Sequence, residues 1–341
     1  MLTANAGSLS ELHLNYIVLA QNEDGNIDLT VAAVVAAAPL LQVLAAGIVR
    51  CTWEDAPRML RAEQPFAPLQ MRSLLEVRFE GQPFIGAGMG RFGPFAAALA
   101  DATLQPALVK LFLVSADMAQ PALMDALVDA ALARRLRLLT LEDCTPPAAA
   151  PLARLFAEGS LGAFMYTGRV GTPMLDAAGA ALVAGRLRAN TTLTTLILCD
   201  AGLCVDMRVA GPLLGALVGH PSLRELRFVG ERIAAEHCCV VGAVLAAVIA
   251  ADAPALRRLV CWDSNLGDAG LAPIVDALPL NHHLRELNVG KNNMSEAFAR
   301  ERLLPAVRSD TTLRKLHCSY PGSGPAEAEA QELVRRRAQH D

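Results

Sequence analysis

Residues 284–294 read LRELNVGKNNM. Leu284, Leu287 and Val289 form an L-x-x-L-x-L unit, and an asparagine-bearing turn follows directly. Successive side chains of a strand point to opposite faces. Leu287 and Val289 therefore share one face, and Glu286, Asn288 and Gly290 share the other. The unit recurs. Downstream stands LRKLHC (313–318). Upstream stand LRRLVC (256–261), LRELRF (223–228), LTTLIL (193–198), LGAFMY (161–166), LRLLTL (136–141), LVKLFL (108–113), LLEVRF (74–79), LQVLAA (41–46) and LSELHL (9–14). These eleven copies start 25 to 34 residues apart, which is too regular for chance.

Between the copies the period changes from two to 3.6. Val31, Val34, Val35 and Ala38 stand at i, i+3, i+4, i+7, as do Met124, Leu127, Val128 and Ala131. Val241, Val244, Leu245 and Val248, and Leu271, Ile274, Val275 and Leu278, repeat the pattern. Each predicts a helix with one apolar stripe. A single strand–helix unit cannot bury that stripe, whereas stacked neighbours can.

Recurrence of this kind resembles a leucine-rich repeat of the ribonuclease-inhibitor-like class, whose units are a strand and a full helix. WDSNLGDAGL (262–271) and GKNNMSEAF (290–298) are its most specific stretches. The resemblance implies an α/β leucine-rich-repeat solenoid, or horseshoe, of about 11 repeats. Its parallel sheet would be concave and its helices convex. It also implies a ladder of buried turn residues, placed at Asn265, Asn293 and Cys144. The array is expected over 1–325. Residues 326–341 are expected to form a polar C-terminal capping helix, with Leu333 and Val334 inward and Arg335, Arg336 and Arg337 at its C-terminal end, where positive charge suits the macrodipole. The first repeat either caps itself with Asn22, Glu23, Asp24 and Asn26 or continues a longer parent.

Composition agrees with a stack of thin units. The 341 residues are 53% hydrophobic but only 4% aromatic. A net charge of −4 argues against a nucleic-acid partner, which selects a basic stripe. The eight scattered cysteines include no C-x-x-C pair, so a reducing, cytoplasmic setting is expected. Residues 29–49 carry no charge, but Pro39, Gln42 and many alanines fit a helix followed by a strand better than a membrane span.

Motifs for chemistry are weak. Gly88, Gly90 and Gly93 match G-x-G-x-x-G, but no acid stands at the expected distance, so a glycine-rich turn is the better reading. His237, Cys238 and Cys239 cannot readily serve one tetrahedral metal, and packed thiols at a helix start explain them. No catalytic set, cofactor site or metal site is expected.

Binding is then expected on strand positions three, five and seven, which alternate with the buried ones. Phe112, Leu138, Met165 and Ile197 would form an exposed apolar run. Val260 and Trp262 would form a second patch beyond Glu225 and Arg227, with Arg258 beside it. An apolar surface with a polar rim suits a protein partner, so the expected function is a non-catalytic interaction scaffold. Ran-type GTPase-activating proteins resemble this repeat class, but no arginine here can be assigned their role. A substrate-recognition array of a ubiquitin ligase or of an immune sensor or effector is the remaining alternative. The open N-terminal edge of the sheet leaves room for self-association; membrane attachment is not expected.

Overall fold

Leucines at the first and fourth positions of the repeat unit are the reason this chain folds. In a computed structural model, described for residues 11–14, 17–18, 43–52, 55–63, 69–78, 89–169, 172–318 and 324–340, these positions are buried from Leu108 onward. The chain divides into two compact units, Met1–Leu161 and Gly162–Asp341.

The first unit holds strands β1 (Glu11–Leu14), β2 (Ile17–Val18), β3 (Val43–Thr52), β4 (Leu69–Arg78), β5 (Lys110–Val114) and β6 (Leu138–Glu142). They pair in parallel in the order β1-β3-β4-β5-β6, with β2 also beside β3. Its helices are α1 (Asp55–Leu60), α2 (Met89–Ala100), α3 (Pro121–Arg134) and α4 (Ala149–Glu158). The second unit holds β7 (Ala163–Thr167), β8 (Thr195–Cys199), β9 (Glu225–Val229), β10 (Arg258–Val260), β11 (Glu286–Asn288) and β12 (Lys315–His317), parallel and in sequence order. Its helices are α5 (Ala177–Ala189), α6 (Met207–Gly215), α7 (Ala235–Ala250) and α8 (Gly267–Ala277). Next come α9 (Glu296–Phe298) and α10 (Leu304–Ser309), joined through a π turn, and then α11 (Pro325–His340). Each unit is thus an open parallel α/β sheet with a helix after most strands.

From β5 onward every strand begins at the third position of its repeat. β1 and β3 also begin at third positions, Glu11 and Val43, with Leu12 beside Leu44; β3 then runs on past the window 41–46, and β4 begins at Leu69, ahead of 74–79. Register places Ile17 beside Val49, Val49 beside Leu75 and Leu75 beside Leu111, with a shift between Ala46 and Ile48. In β4 the fourth position is therefore Leu75, level with Leu111, while β3 stands level with β1 through Leu44 and with β4 through Val49. Strand β3 is apolar along most of its length, and its ten residues carry it from the register of β1 into that of β4. The helix expected over Val31 to Ala38 lies outside the described residues.

The helical stripes pack as their spacing requires. Met124, Leu127, Val128 and Ala131 are buried, as are Leu271, Ile274, Val275 and Leu278, while Val244 is half-buried beside buried Val241, Leu245 and Val248. Helices α7 and α8 touch through Gly242, where a Cβ would collide with the Gly270 carbonyl oxygen. In α11, Ala326, Ala330 and Val334 form the buried stripe, while Leu333 is only half-buried. Arg335 and Arg336 bind Glu332, and Arg337 donates to the Arg308 and Asp310 carbonyls.

Turns between elements bury backbone that the ladders cannot satisfy. Arg134 answers this in the first unit. It is 6% exposed and donates to the carbonyls of Leu99, Asp101, Leu104, Gln105 and Leu108, closing the segment after α2. The second unit uses the residue three before the first leucine. Asn190, His220, Asn281 and Asp310 are all buried there. Each accepts from the backbone N–H groups two and three residues on. His220 accepts on Nδ1, so its Nε2–H is assigned to the Leu187 carbonyl at 3.1 Å.

The expected asparagine ladder is displaced by one residue. Asn292, not Asn293, is buried: it donates to the Cys261 and Val289 carbonyls and accepts from Ser264 and Leu266 N–H. Ser264, not Asn265, occupies the equivalent site and donates to the Phe228 carbonyl. Asn265 and Asn293 both have φ of +55° and bond each other outside. They stand where the chain needs left-handed backbone, which asparagine tolerates. Cys144 does hold the ladder site, with the Leu113 carbonyl and Ala116 N–H as partners. Burial pushes its thiol up to about 12. Glu231 fills the same site in its repeat, accepting from the Ala201, Leu203 and Cys204 N–H groups. Burial raises its carboxyl to about 7 against the pull of those donors.

His220 allows a direct test. Burial lowers its pKa, and only the neutral ring can accept on Nδ1. Its contribution is present above the unfolded histidine value and is lost progressively as pH falls from there through the lowered folded value. His220→Ala should cost about 1–3 kcal/mol in urea unfolding at pH 7.5. His220→Asn, the residue used at 190 and 281, should recover most of that and remove the histidine step between pH 7 and 5. Equal loss in both variants would refute this role.

Candidate functional site

In the second unit, alternate positions of β8 to β12 fall on the face opposite the buried leucines. Their third positions stand in register as Thr195, Glu225, Arg258, Glu286 and Lys315. The signs alternate over the last four. Arg258 donates to Glu225 at 3.1 Å and to Glu286 at 2.9 Å, and Arg227 also binds Glu225. All four side chains keep 14 to 36% of their surface in contact with solvent. Such part-exposed pairs stabilise by about 0.2–1 kcal/mol each; their larger effect is to hold long side chains in one arrangement.

Trp262 stands at the seventh position of the β10 repeat, half-buried. The Lys291 ammonium lies over its ring at 4.3 Å and is 3.6 Å from Asp263. Both Asp263 and Lys291 occupy left-handed turn positions, with φ of +55° and +56°. The turns thus aim a cation at the indole face.

The expected apolar run is altered. Phe112 and Leu138 belong to the first unit, half-buried and diagonal to each other, since Phe112 pairs with Thr140 and Leu138 with Lys110. Met165 and Ile197 belong to the second unit and are direct partners. Met165 is half-buried, but Ile197 is only 7% exposed and Val260 only 5%. Both were expected to be exposed. Each sits between neighbours on adjacent strands, Met165 and Arg227 for Ile197, Arg227 and Asn288 for Val260. Cross-strand neighbours stand close enough to cover an aliphatic side chain. The surface is consequently charged and aromatic more than apolar. Glu286 and Lys291 were missing from the expected site. Strict alternation of sign along the third positions was the signal for Glu286; Lys291 lies beyond the strand, where strand alternation has no reach.

The other motifs resolve as structural. From Met89 onward the glycine-rich stretch is the start of α2, not a turn, and Gly88 lies outside the described residues. Cys238 is buried, with its thiol on the Ala234 and Asn265 carbonyls, and Cys239 faces away from it into solvent. Among the described residues no group of three His, Cys, Asp or Glu could hold a metal ion. No helix among them is long and apolar enough to cross a membrane.

No protein-family profile and no curated protein matches the chain. Two solved structures are similar to it at low identity. A Bacteroides fragilis protein from a structural-genomics programme shares 16% identity over 82% of this chain and 76% of that one, with a TM-score of 0.48. Yeast Rad7, solved in complex with Elc1, shares 13% identity over 81% of this chain and 75% of that one, with a TM-score of 0.42. At this distance neither carries residue roles across.

The charge network has a measurable signature. A double-mutant cycle of Arg258→Met and Glu286→Gln should give a coupling of about 0.2–1 kcal/mol that shrinks at 0.5 M salt. Salt-independent coupling would mean the pair acts through packing instead.

Proposed function

We propose that this chain is a non-catalytic protein-interaction scaffold of the leucine-rich-repeat type, contacting a partner protein through the solvent-facing side of the sheet in its second unit. One observation carries this reading: the ordered, mutually held row Glu225, Arg258 and Glu286, flanked by Arg227 and by Trp262 under Lys291. Tryptophan and arginine are the residues most enriched at the energetic centres of protein interfaces. Side chains already held by one another lose less freedom on binding than free ones. Their charges favour a partner of matched pattern over a merely apolar one. The reading leaves no reaction to the chain itself, and its setting is intracellular and reducing.

Photocross-linking tests this. A benzoylphenylalanine at Trp262 should trap one defined protein in source-cell lysate, whereas the same group at Val240, exposed on α7, should not. Trapping from Val240 alone would move the contact to the helices. Stimulation of GTP hydrolysis by a small GTPase from that lysate would instead make the chain a catalytic regulator.

A further inference from the structure

One residue before each member of the alternating row stands another row, and it does not alternate. The second positions of four successive repeats are Arg224, Arg257, Arg285 and Arg314. Backbone bonds hold them side by side: Arg257 N–H donates to the Arg224 carbonyl, Arg285 to Arg257 and Arg314 to Arg285, each at 2.8 Å. Neighbouring strands are about 4.8 Å apart, so the row runs about 14 Å along one margin of the sheet. Arg224, Arg257 and Arg285 are exposed.

Like charges directly opposite on neighbouring strands are destabilising. The third-position row avoids this by alternating Glu225, Arg258, Glu286 and Lys315. The second-position row does not, and among the described residues Arg224, Arg257 and Arg285 have no carboxylate within ion-pair distance. Nearby acids are committed elsewhere: Glu225 to Arg227 and Arg258, Glu286 to Arg258, and Asp252 to His282 and His283. Arg257 and Arg285 reach backbone carbonyl groups, and Arg257 Nη1 donates to the Leu256 carbonyl of its own repeat at 3.2 Å. Arg257 Nη1 donates to the His283 carbonyl at 3.4 Å and Arg285 Nη1 to the Thr312 carbonyl at 2.9 Å. These bonds hold the Arg257 and Arg285 guanidinium groups at the margin and use only one nitrogen of each.

From the three unneutralised arginines we infer that the margin formed by Arg224, Arg257 and Arg285 docks an acidic segment of the partner protein. The inference rests on the scaffold reading and supplies the partner's chemistry. Guanidinium groups recognise carboxylates in bidentate fashion, and glutamates on one face of a helix stand about 5–6 Å apart, near the spacing of the row. A nucleic acid fits less well. The row spans only two or three phosphates, and Glu225, Glu286 and Asp252 beside it, in a chain of net charge −4, oppose an extended polyanion.

The experiment measures binding of a fluorescent octaglutamate peptide by anisotropy at low and moderate salt, with octaglutamine and a dT12 oligonucleotide as competitors. Wild type should bind octaglutamate, with affinity falling as salt rises. The triple variant Arg224→Ala/Arg257→Ala/Arg285→Ala should lose at least tenfold. A control of equal charge change, Arg300→Ala/Arg335→Ala/Arg336→Ala, should lose less than twofold. Matched melting curves guard against unfolding. In the triple Arg→Lys variant, intermediate binding is expected, because charge remains and the fork geometry does not. Equal loss in control and test variants, tighter binding of dT12, or no octaglutamate binding would each overturn the inference. If the protein trapped at Trp262 still binds the triple alanine variant at full strength, the scaffold reading survives and the acidic-segment inference falls.

Discussion

A turn pressed between two copies of itself has no water to bond. That constraint governs this chain. Every repeat must leave its strand, enter a helix and return, and each change of direction exposes backbone N–H and carbonyl groups inside the stack. Unpaired, they would cost a hydrogen bond's worth of free energy apiece. The chain answers with buried side chains that accept from turn N–H groups, Asn190, His220, Asn281 and Asp310 before the strands and Glu231 and Asn292 after them, while the buried Ser264 hydroxyl donates to the Phe228 and Trp262 carbonyls. Arg134 supplies the opposite need, a fan of donors for five carbonyls. Leucine packing makes the stack favourable; these polar residues make it possible to close.

Function follows from what regular stacking does to the other side chains. Once register is set, equivalent positions of successive repeats become rows across the sheet, and chemistry is decided row by row. The third-position row alternates in charge, and Arg258 bridges Glu225 and Glu286 within it. The second-position row is all arginine, and among the described residues Arg224, Arg257 and Arg285 have no carboxylate within ion-pair distance. The turn beyond β10 and β11 adds Trp262 and Lys291, aimed by left-handed residues. Three neighbouring features of one unit therefore differ in what they ask of a partner: matched charge, an aromatic contact and acid.

Much of this was legible in the sequence, for physical reasons. Leucines repeat because they are buried, so L-x-x-L-x-L located the starts of β1, β3 and every strand from β5 onward, and the alternation of inward and outward side chains. The helical stripe at Leu271, Ile274, Val275 and Leu278 was equally plain. The asparagine ladder was misread by one residue because two adjacent asparagines serve different ends, Asn292 its side chain and Asn293 its backbone. In β4 the adjacent leucines Leu74 and Leu75 hid the start of the repeat. The acceptors before the strands were visible as N-x-x-L, H-x-x-L and D-x-x-L but use three residue types for one job, which conceals the pattern. Burial of Ile197 and Val260 depends on side chains of adjacent strands, and strand alternation alone does not report it.

Native-state hydrogen exchange on the amides of Leu193, Leu223, Leu284 and Leu313 tests the central claim most directly. If buried side-chain acceptors close the turns, these four amides exchange as slowly as Leu226 and Leu287 inside the strands, through cooperative opening of the stack. Exchange at the rate of exposed loop amides, with the strands still protected, would show that the turns open alone and that the acceptors do not hold the repeats together.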